Sequence, residues 1–383
     1  MRTIYLDYNA TTPLDQEVRK AMLPLLEDLQ GNPSSIHHVG RKARAVLDEA
    51  RYRVSAVWRC KPSEVIFTSG GTESNNLAIL GTARLLKSKG RHLITSQVEH
   101  HAVLHCFDYL ERKEGFEITR LPVDHEGFLD PLTIEKAIRA DTVLVSVMAA
   151  NNEVGTLQDV AAIGKLCRRK GVVFHTDAVQ WFGKEPVPSI DCFQADLVSV
   201  CCHKFHGPKG AGALFVRSPL LPDPLMHGGG HENERRAGTE NLLAIWGFME
   251  ALERFTVTPV FPGVRLREQT QHLRRALGEN PYVKALGPKE RRLTNTAAFT
   301  VSGTDSFALL AGLDIEGICA SSGSACAAGS LEPSHVVLAM GASREASRSL
   351  LRFSLGRETT EQDISTLVEI FPRIVDRSVG VRG

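Results

Sequence analysis

Between Glu64 and Arg217 the chain alternates short apolar, β-branched runs with longer segments whose apolar residues recur at helical spacing. Val65 to Thr68, Leu93 to Thr95, Thr142 to Val147, Val172 to Phe174, Leu197 to Val200 and Ala213 to Val216 predict strands. Leu77 to Lys87, Ala102 to Lys113 and Val160 to Lys170 predict the helices between them. This alternation implies an α/β architecture, a mostly parallel sheet with helices on both faces, whose ligand site lies beyond the carboxyl ends of the strands. From about Phe255 to Val264 the rhythm breaks at Thr256, Pro259, Pro262 and Gly263, and a second section of helix-like, strand-like and loop segments follows.

A length of 383 residues leaves room for a large core and a second lobe. A formal net charge of +1 gives no electrostatic case for a nucleic-acid or membrane partner. No stretch approaches the roughly 18 apolar residues of a membrane span, and Met1 to Asp7 shows no basic segment followed by an apolar run, so the expected location is cytoplasmic. There, Asn9-Ala10-Thr11 reads as a chance match to a glycosylation triplet. The eight cysteines are scattered without a C-x-x-C pair, which points to thiols and not to a disulfide framework or a zinc ribbon.

Chemistry concentrates at the predicted strand ends. After the first comes Ser69-Gly70-Gly71-Thr72-Glu73-Ser74, a glycine turn opening a helix, suited to a phosphate through free N–H groups and the helix dipole. By itself such a turn is as often only a turn. Glu99-His100-His101 follows the second, and a histidine there is placed to cover an aromatic cofactor or to move protons. Later strands end in Ala150-Asn151-Asn152-Glu153 and in His175-Thr176-Asp177-Ala178-Val179-Gln180. Ser199-Val200-Cys201-Cys202-His203-Lys204 then supplies a candidate Schiff-base lysine. One lysine is far more often a solvated charge; the ordered company of turn, histidine, carboxylate and lysine gives Lys204 its meaning. In the second section, Cys326 sits among small residues in Ser321 to Ser330, which reads as an exposed, mobile thiol loop. Arg352 and Arg357 offer forked donors for a substrate carboxylate.

These segments resemble the cysteine desulfurases, pyridoxal-phosphate (PLP) enzymes of fold-type I in the class V aminotransferase family. The likeness runs from Tyr5-Leu6-Asp7-Tyr8-Asn9-Ala10-Thr11-Thr12-Pro13 through Gly31-Asn32-Pro33-Ser34-Ser35 to Arg352-Phe353-Ser354-Leu355-Gly356-Arg357, and Ser321 to His335 is similar to the branch with a long cysteine loop. The resemblance implies a seven-stranded sheet in a large PLP-binding domain over 15–256. A smaller α+β domain would comprise 1–14 and 257–383 and carry the cysteine loop. It further implies that Lys204 carries PLP, His100 stacks on its ring, Asp177 pairs with the ring nitrogen, and Gln180 and Asn151 lie at the hydroxyl side, with Asn151 also near the substrate. Gly71, Thr72 and His203 are implied phosphate ligands, Thr239 reaches the neighbouring subunit's phosphate in a homodimer, and Arg352 holds the carboxylate of L-cysteine. Cys326 would accept the sulfur as a persulfide and pass it to an acceptor protein such as an iron-sulfur scaffold or a sulfur relay protein; no metal is implied. Cys201 stands near where much of the family has a hydroxyl donor to the phosphate, and a thiol donates weakly.

Other readings remain open at this level. A selenocysteine lyase or a transaminase would share the PLP residues, although a transaminase has no need of Cys326. A metal- or cluster-carrying protein could use Cys201, Cys202, His203 and His206, but adjacent residues on a strand point to opposite faces. A catalytically silent binding subunit would have no reason to keep both Lys204 and Cys326.

Overall fold

The computed structural model describes residues 2–323 and 332–380; Cys326 lies outside them. After β1 (Ile4–Tyr5), the large sheet is built from β2 (Val65–Thr68), β3 (His92–Ser96), β4 (Glu117–Leu121), β5 (Thr142–Ser146), β6 (Val173–Asp177), β7 (Leu197–Cys201) and β8 (Gly212–Val216). Among the described residues these form a seven-stranded sheet in the order β2-β8-β7-β6-β5-β3-β4. β8 runs antiparallel to both neighbours, and the remaining pairs are parallel. The expected α/β architecture is the one the chain adopts.

Most of these strands are buried on both faces, which is why they read as continuous apolar runs. Successive side chains part to opposite sides. Ile66, Leu93, Leu144 and Leu197 pack with Leu77, Val103 and Phe107, whereas Phe67, Ile94, Val145 and Val198 pack against the helices His38–Trp58, Val160–Lys170 and Leu242–Phe255. β4 has no counterpart in the predicted strands: Glu117-Ile118-Thr119-Arg120-Leu121 lies at the sheet edge, only Leu121 is buried, and its polar residues mask the pattern. The helix predicted from Leu77 begins earlier. It starts at Gly71, passes through a wide π turn at Leu77–Gly81 and ends at Leu86, its first turn being too polar to show apolar periodicity.

A second core gathers Leu266, Leu273, Phe299, Phe353 and Phe371 with Ile4, Leu6 and Tyr8. It surrounds β9 (Val283–Leu286), β10 (Thr296–Val301) and β12 (Leu351–Ser354), an antiparallel sheet in the order β12-β10-β9; β11 (Ile318–Cys319) pairs in parallel with β1. The first residues of the chain therefore belong to the core built by the last. A small cluster that includes Val98, Val154, Leu286, Ala298, Val336 and Leu350 fastens the loops after β3 and β5 to this second sheet. Among the described residues no helix is long and apolar enough to cross a membrane.

Candidate active site

The carboxyl ends of β3, β5, β6 and β7 and the turn after β2 meet at a cavity of ≈ 210 Å³. Gly71, Thr72, His100, Asp177, Gln180, Cys201, His203, Lys204 and Arg352 line it, together with Asn9, Ala10, Asn75, Met148, Asn152 and Val179. A single helical turn after β7, Cys202–Lys204, brings the lysine round into the cavity. Its Nζ donates to the carbonyls of Asn9 and Ala10, each at 2.8 Å. Burial lowers the pKa of this amine; Cys201, Asp7 and Asp177 act against the shift and Arg352 adds to it. A lysine so displaced holds more of its neutral, nucleophilic form near pH 7 than a surface lysine.

Asp177 ends β6 with both carboxylate oxygens held: Oδ1 accepts from the Val179 N–H at 3.0 Å and Oδ2 from Asn75 Nδ2 at 2.7 Å. His100 caps the helix His101–Glu114, its Nδ1 accepting from the Ala102 N–H at 3.1 Å, which leaves the ring proton on Nε2. Burial lowers the His100 pKa, so the ring stays neutral and can lie against a flat cofactor. Behind it Glu99 is wholly buried and pushed up to about 8, chiefly by desolvation. Its Oε1 accepts from Ser96 Oγ at 2.5 Å and from the Met148 N–H at 3.0 Å, tying the two strand-end loops together.

Gly71, Thr72, Cys201 and His203 also line a neighbouring opening of ≈ 380 Å³ that reaches Lys209 and Gly210. A Cβ on Gly71 would stand 2.8 Å from Val179 Cγ2, so the approach of this turn to the cavity needs glycine. The Gly71 and His203 N–H groups point at Cys201 Sγ, and burial raises that thiol's pKa. Burial also lowers His203 to about 4, helped by Lys204 and Lys209, so it serves as a neutral hydrogen-bonding group. Cys202 points the other way, into the hydrophobic core. Among the described residues no group of three or more His, Cys, Asp or Glu could hold a metal ion, and Cys201 and Cys202 sit on opposite faces.

One expectation needs correcting. Asn151 is not brought to the cavity: its Oδ1 accepts from the Glu153 and Val154 N–H groups, both at 2.9 Å, and its Nδ2 donates to the Val98 carbonyl at 3.0 Å. It builds the turn, and the next residue, Asn152, faces the site. Two adjacent asparagines look alike in a sequence, and only the backbone decides which one turns inward. Asn151→Ala should lower stability by about 2–4 kcal/mol in denaturant unfolding, since it strands buried backbone groups. Asn152→Ala should leave stability nearly unchanged and raise KM or weaken cofactor retention; equal destabilisation by the two would contradict this division.

Arg352 is buried on β12. Its guanidinium pairs with Asp7 at 2.7 Å and donates to the carbonyls of Asn152 at 2.9 Å and Gly323 at 2.5 Å, while Nε has no partner. Thr239 is exposed and lines neither opening. Sequence reasoning passed over Asn9, Asp7, Asn75 and Lys184. Asn9, set aside as part of a chance triplet, binds Lys204, Gln180, Lys184, Asn152, Asn295, Thr296 and Ser354 through its backbone or side chain. Neither periodicity nor spacing marks such a hub.

The residues present fit PLP. A depressed lysine amine, an oriented carboxylate, a neutral imidazole and a glycine cradle that a Cβ would fill all border one cavity.

The aminotransferase class-V family model matches residues 4–367. Over 377 residues the chain is 46% identical to the cysteine desulfurase IscS of Dictyoglomus turgidum, covering 98% of this chain and 95% of that protein. It is 44% identical over 377 residues to the cysteine desulfurase IscS of Clostridium botulinum, covering 98% and 94%. Its fold is similar to a solved NifS-like protein, with a TM-score of 0.90, 33% identity and coverage of 98% and 100%. A structure of SspA in complex with cysteine matches with a TM-score of 0.81, 34% identity and coverage of 94% and 100%.

Proposed function

The chain belongs to the aminotransferase class-V family, as a PLP-dependent cysteine desulfurase, and from that premise we propose that Lys204 carries the cofactor and Cys326 receives the sulfur of L-cysteine. The observation that carries the reading is the convergence of Lys204, Asp177, His100 and Arg352 on one buried cavity. Asp177 would hold the ring nitrogen, His100 would cover the ring, and Gly71, Thr72, Cys201 and His203 would hold the phosphate. When bound, PLP supplies an electron sink for the pair left by a departing α-proton.

Lys204 Nζ would take that proton, and burial, by lowering its pKa, enlarges the neutral fraction that can do so. Asp177, oriented by Asn75 and the Val179 N–H, would keep the ring nitrogen protonated. Arg352, which lines the cavity and keeps a buried Nε without a partner, receives the substrate carboxylate. The Cys326 thiolate attacks the substrate sulfur: an S–S bond forms as the C–S bond breaks, and the bonding pair passes to the carbon that is later protonated to give L-alanine. The persulfide then moves to an acceptor protein, an iron-sulfur scaffold or a sulfur relay protein. Thr239, exposed near the Arg236–Glu73 ion pair, completes the phosphate site of a second subunit in a homodimer. The free thiols among the described residues suit the reducing cytoplasm.

Borohydride reduction of the loaded protein followed by peptide mapping tests the cofactor assignment. The expected label sits on Lys204; a label on Lys184 or Lys209 instead would overturn it.

A further inference from the structure

Lys184 is a lysine buried beside the site with no part in the reaction just described. It follows β6 by one turn, lies 5.5 Å over the ring of Phe261 in the second core, and among the described residues pairs with no carboxylate. Its Nζ donates to Asn9 Oδ1 at 2.8 Å and to Gln180 Oε1 at a shorter distance. Gln180 Nε2 in turn donates to the Asn9 carbonyl at 2.9 Å, the same oxygen that receives Lys204.

An amide side chain can turn either its oxygen or its nitrogen toward a neighbour, and the two placements have nearly the same shape. A lysine ammonium only donates, so it selects one of them. We infer that Lys184 is a positioning residue that fixes the Gln180 amide, so that Gln180 presents an N–H donor, and not a carbonyl, to the cavity where the cofactor's ring hydroxyl would lie. The inference rests on the cofactor assignment above and goes beyond it, because it concerns a residue that does not line the cavity.

Lys184 fixes the amide whether or not it is charged. Desolvation shifts its pKa well below the ordinary lysine value, reinforced by Lys204 and Arg352 and opposed by Glu185. A neutral amine still has two N–H groups, enough for the two amide oxygens it serves. Its loss leaves Gln180 Oε1 buried and unpaired, while Asn9 Oδ1 keeps Asn295 Nδ2, and Gln180 gains a partner for that oxygen only by exchanging the places of its oxygen and nitrogen at the expense of its bond to the Asn9 carbonyl. A carbonyl would then face the ring oxygen where a donor had been. A donor there draws negative charge onto the ring oxygen and loosens its hold on the proton of the Lys204-linked nitrogen. Losing the donor makes that proton harder to remove.

The test is a pH titration of the visible absorbance of the full-length, PLP-loaded protein without substrate, so that turnover is not the readout. The groups bordering the chromophore, Asp177, His100, Cys201 and Arg352, stay the same across the series. Lys184→Met should raise the midpoint by about one pH unit, the worth of one hydrogen bond. Gln180→Ala should raise it similarly, and adding Lys184→Met to Gln180→Ala should move it little further. Should the Met variant not fold, Lys184→Gln, whose shorter side chain keeps N–H donors that reach Gln180 Oε1 less well, should give a smaller rise in the same direction. An unchanged midpoint in Lys184→Met, or a full shift persisting in the Gln180→Ala background, would overturn the inference. A wild-type protein with no visible band would instead overturn the cofactor assignment on which it rests.

Discussion

Cys326→Ala should cut sulfide release from L-cysteine by at least about 10³-fold, as removal of a nucleophile does elsewhere, and leave the visible band of bound PLP in place. The reason lies as much in the other thiols as in Cys326. Cys60, Cys106, Cys167 and Cys192 are pushed up to about 12, mainly by burial. At pH 7 each is a thiolate in only about one part in 10⁵, the fraction set by a five-unit gap. Cys202 is raised well above its ordinary value and lies in the core. Cys201 alone among the described thiols lines the cavity, and it too is raised by burial. Measured with equal cofactor loading, sulfide that persists in Cys326→Ala and vanishes only when Cys201 is also replaced would move the sulfur-accepting role to Cys201.

Lys204→Ala should lower both alanine and sulfide formation by about 10⁴-fold, the upper range for loss of a positioned acid–base group. It should also make PLP removable by dialysis, since only the cradle at Gly71, Thr72, Cys201 and His203 would remain to hold it. The Asn9 and Ala10 carbonyls lose their donor in this variant, so its thermal stability should be followed alongside. Lys204→Arg separates the effects. Arg still donates to those carbonyls but stays charged at any working pH, so folding should recover and activity should not. Recovery of activity by arginine would show that position 204 serves structure and not proton transfer.

What the sequence discloses and what it conceals follow from physical distance along the chain. The large sheet was legible because strands buried on both faces must be apolar throughout, as Thr142–Ser146 and Leu197–Cys201 are. The half-exposed β4 was not, nor was the polar first turn at Gly71, where Ser74 and Asn75 are buried for their hydrogen bonds and not for apolar contact. In the site, residues carried by a strand end and the turn after it could be named from order alone: His100, Asp177, Lys204. Asn151 was misplaced by one position, because the turn spends its side chain on the Glu153 and Val154 N–H groups. Asn9 and Lys184 escaped because their meaning exists only when residues 175 positions apart meet. Asp7 and Arg352, 345 apart, are a further case.

The central claim is best tested by incubating the purified, PLP-loaded protein with L-cysteine and a thiol reductant, and assaying sulfide and alanine in the same sample. Equimolar sulfide and alanine, both formed without any keto acid acceptor, is the predicted result. Alanine that appears only when a keto acid is supplied, or no consumption of L-cysteine by a fully loaded protein, would contradict it.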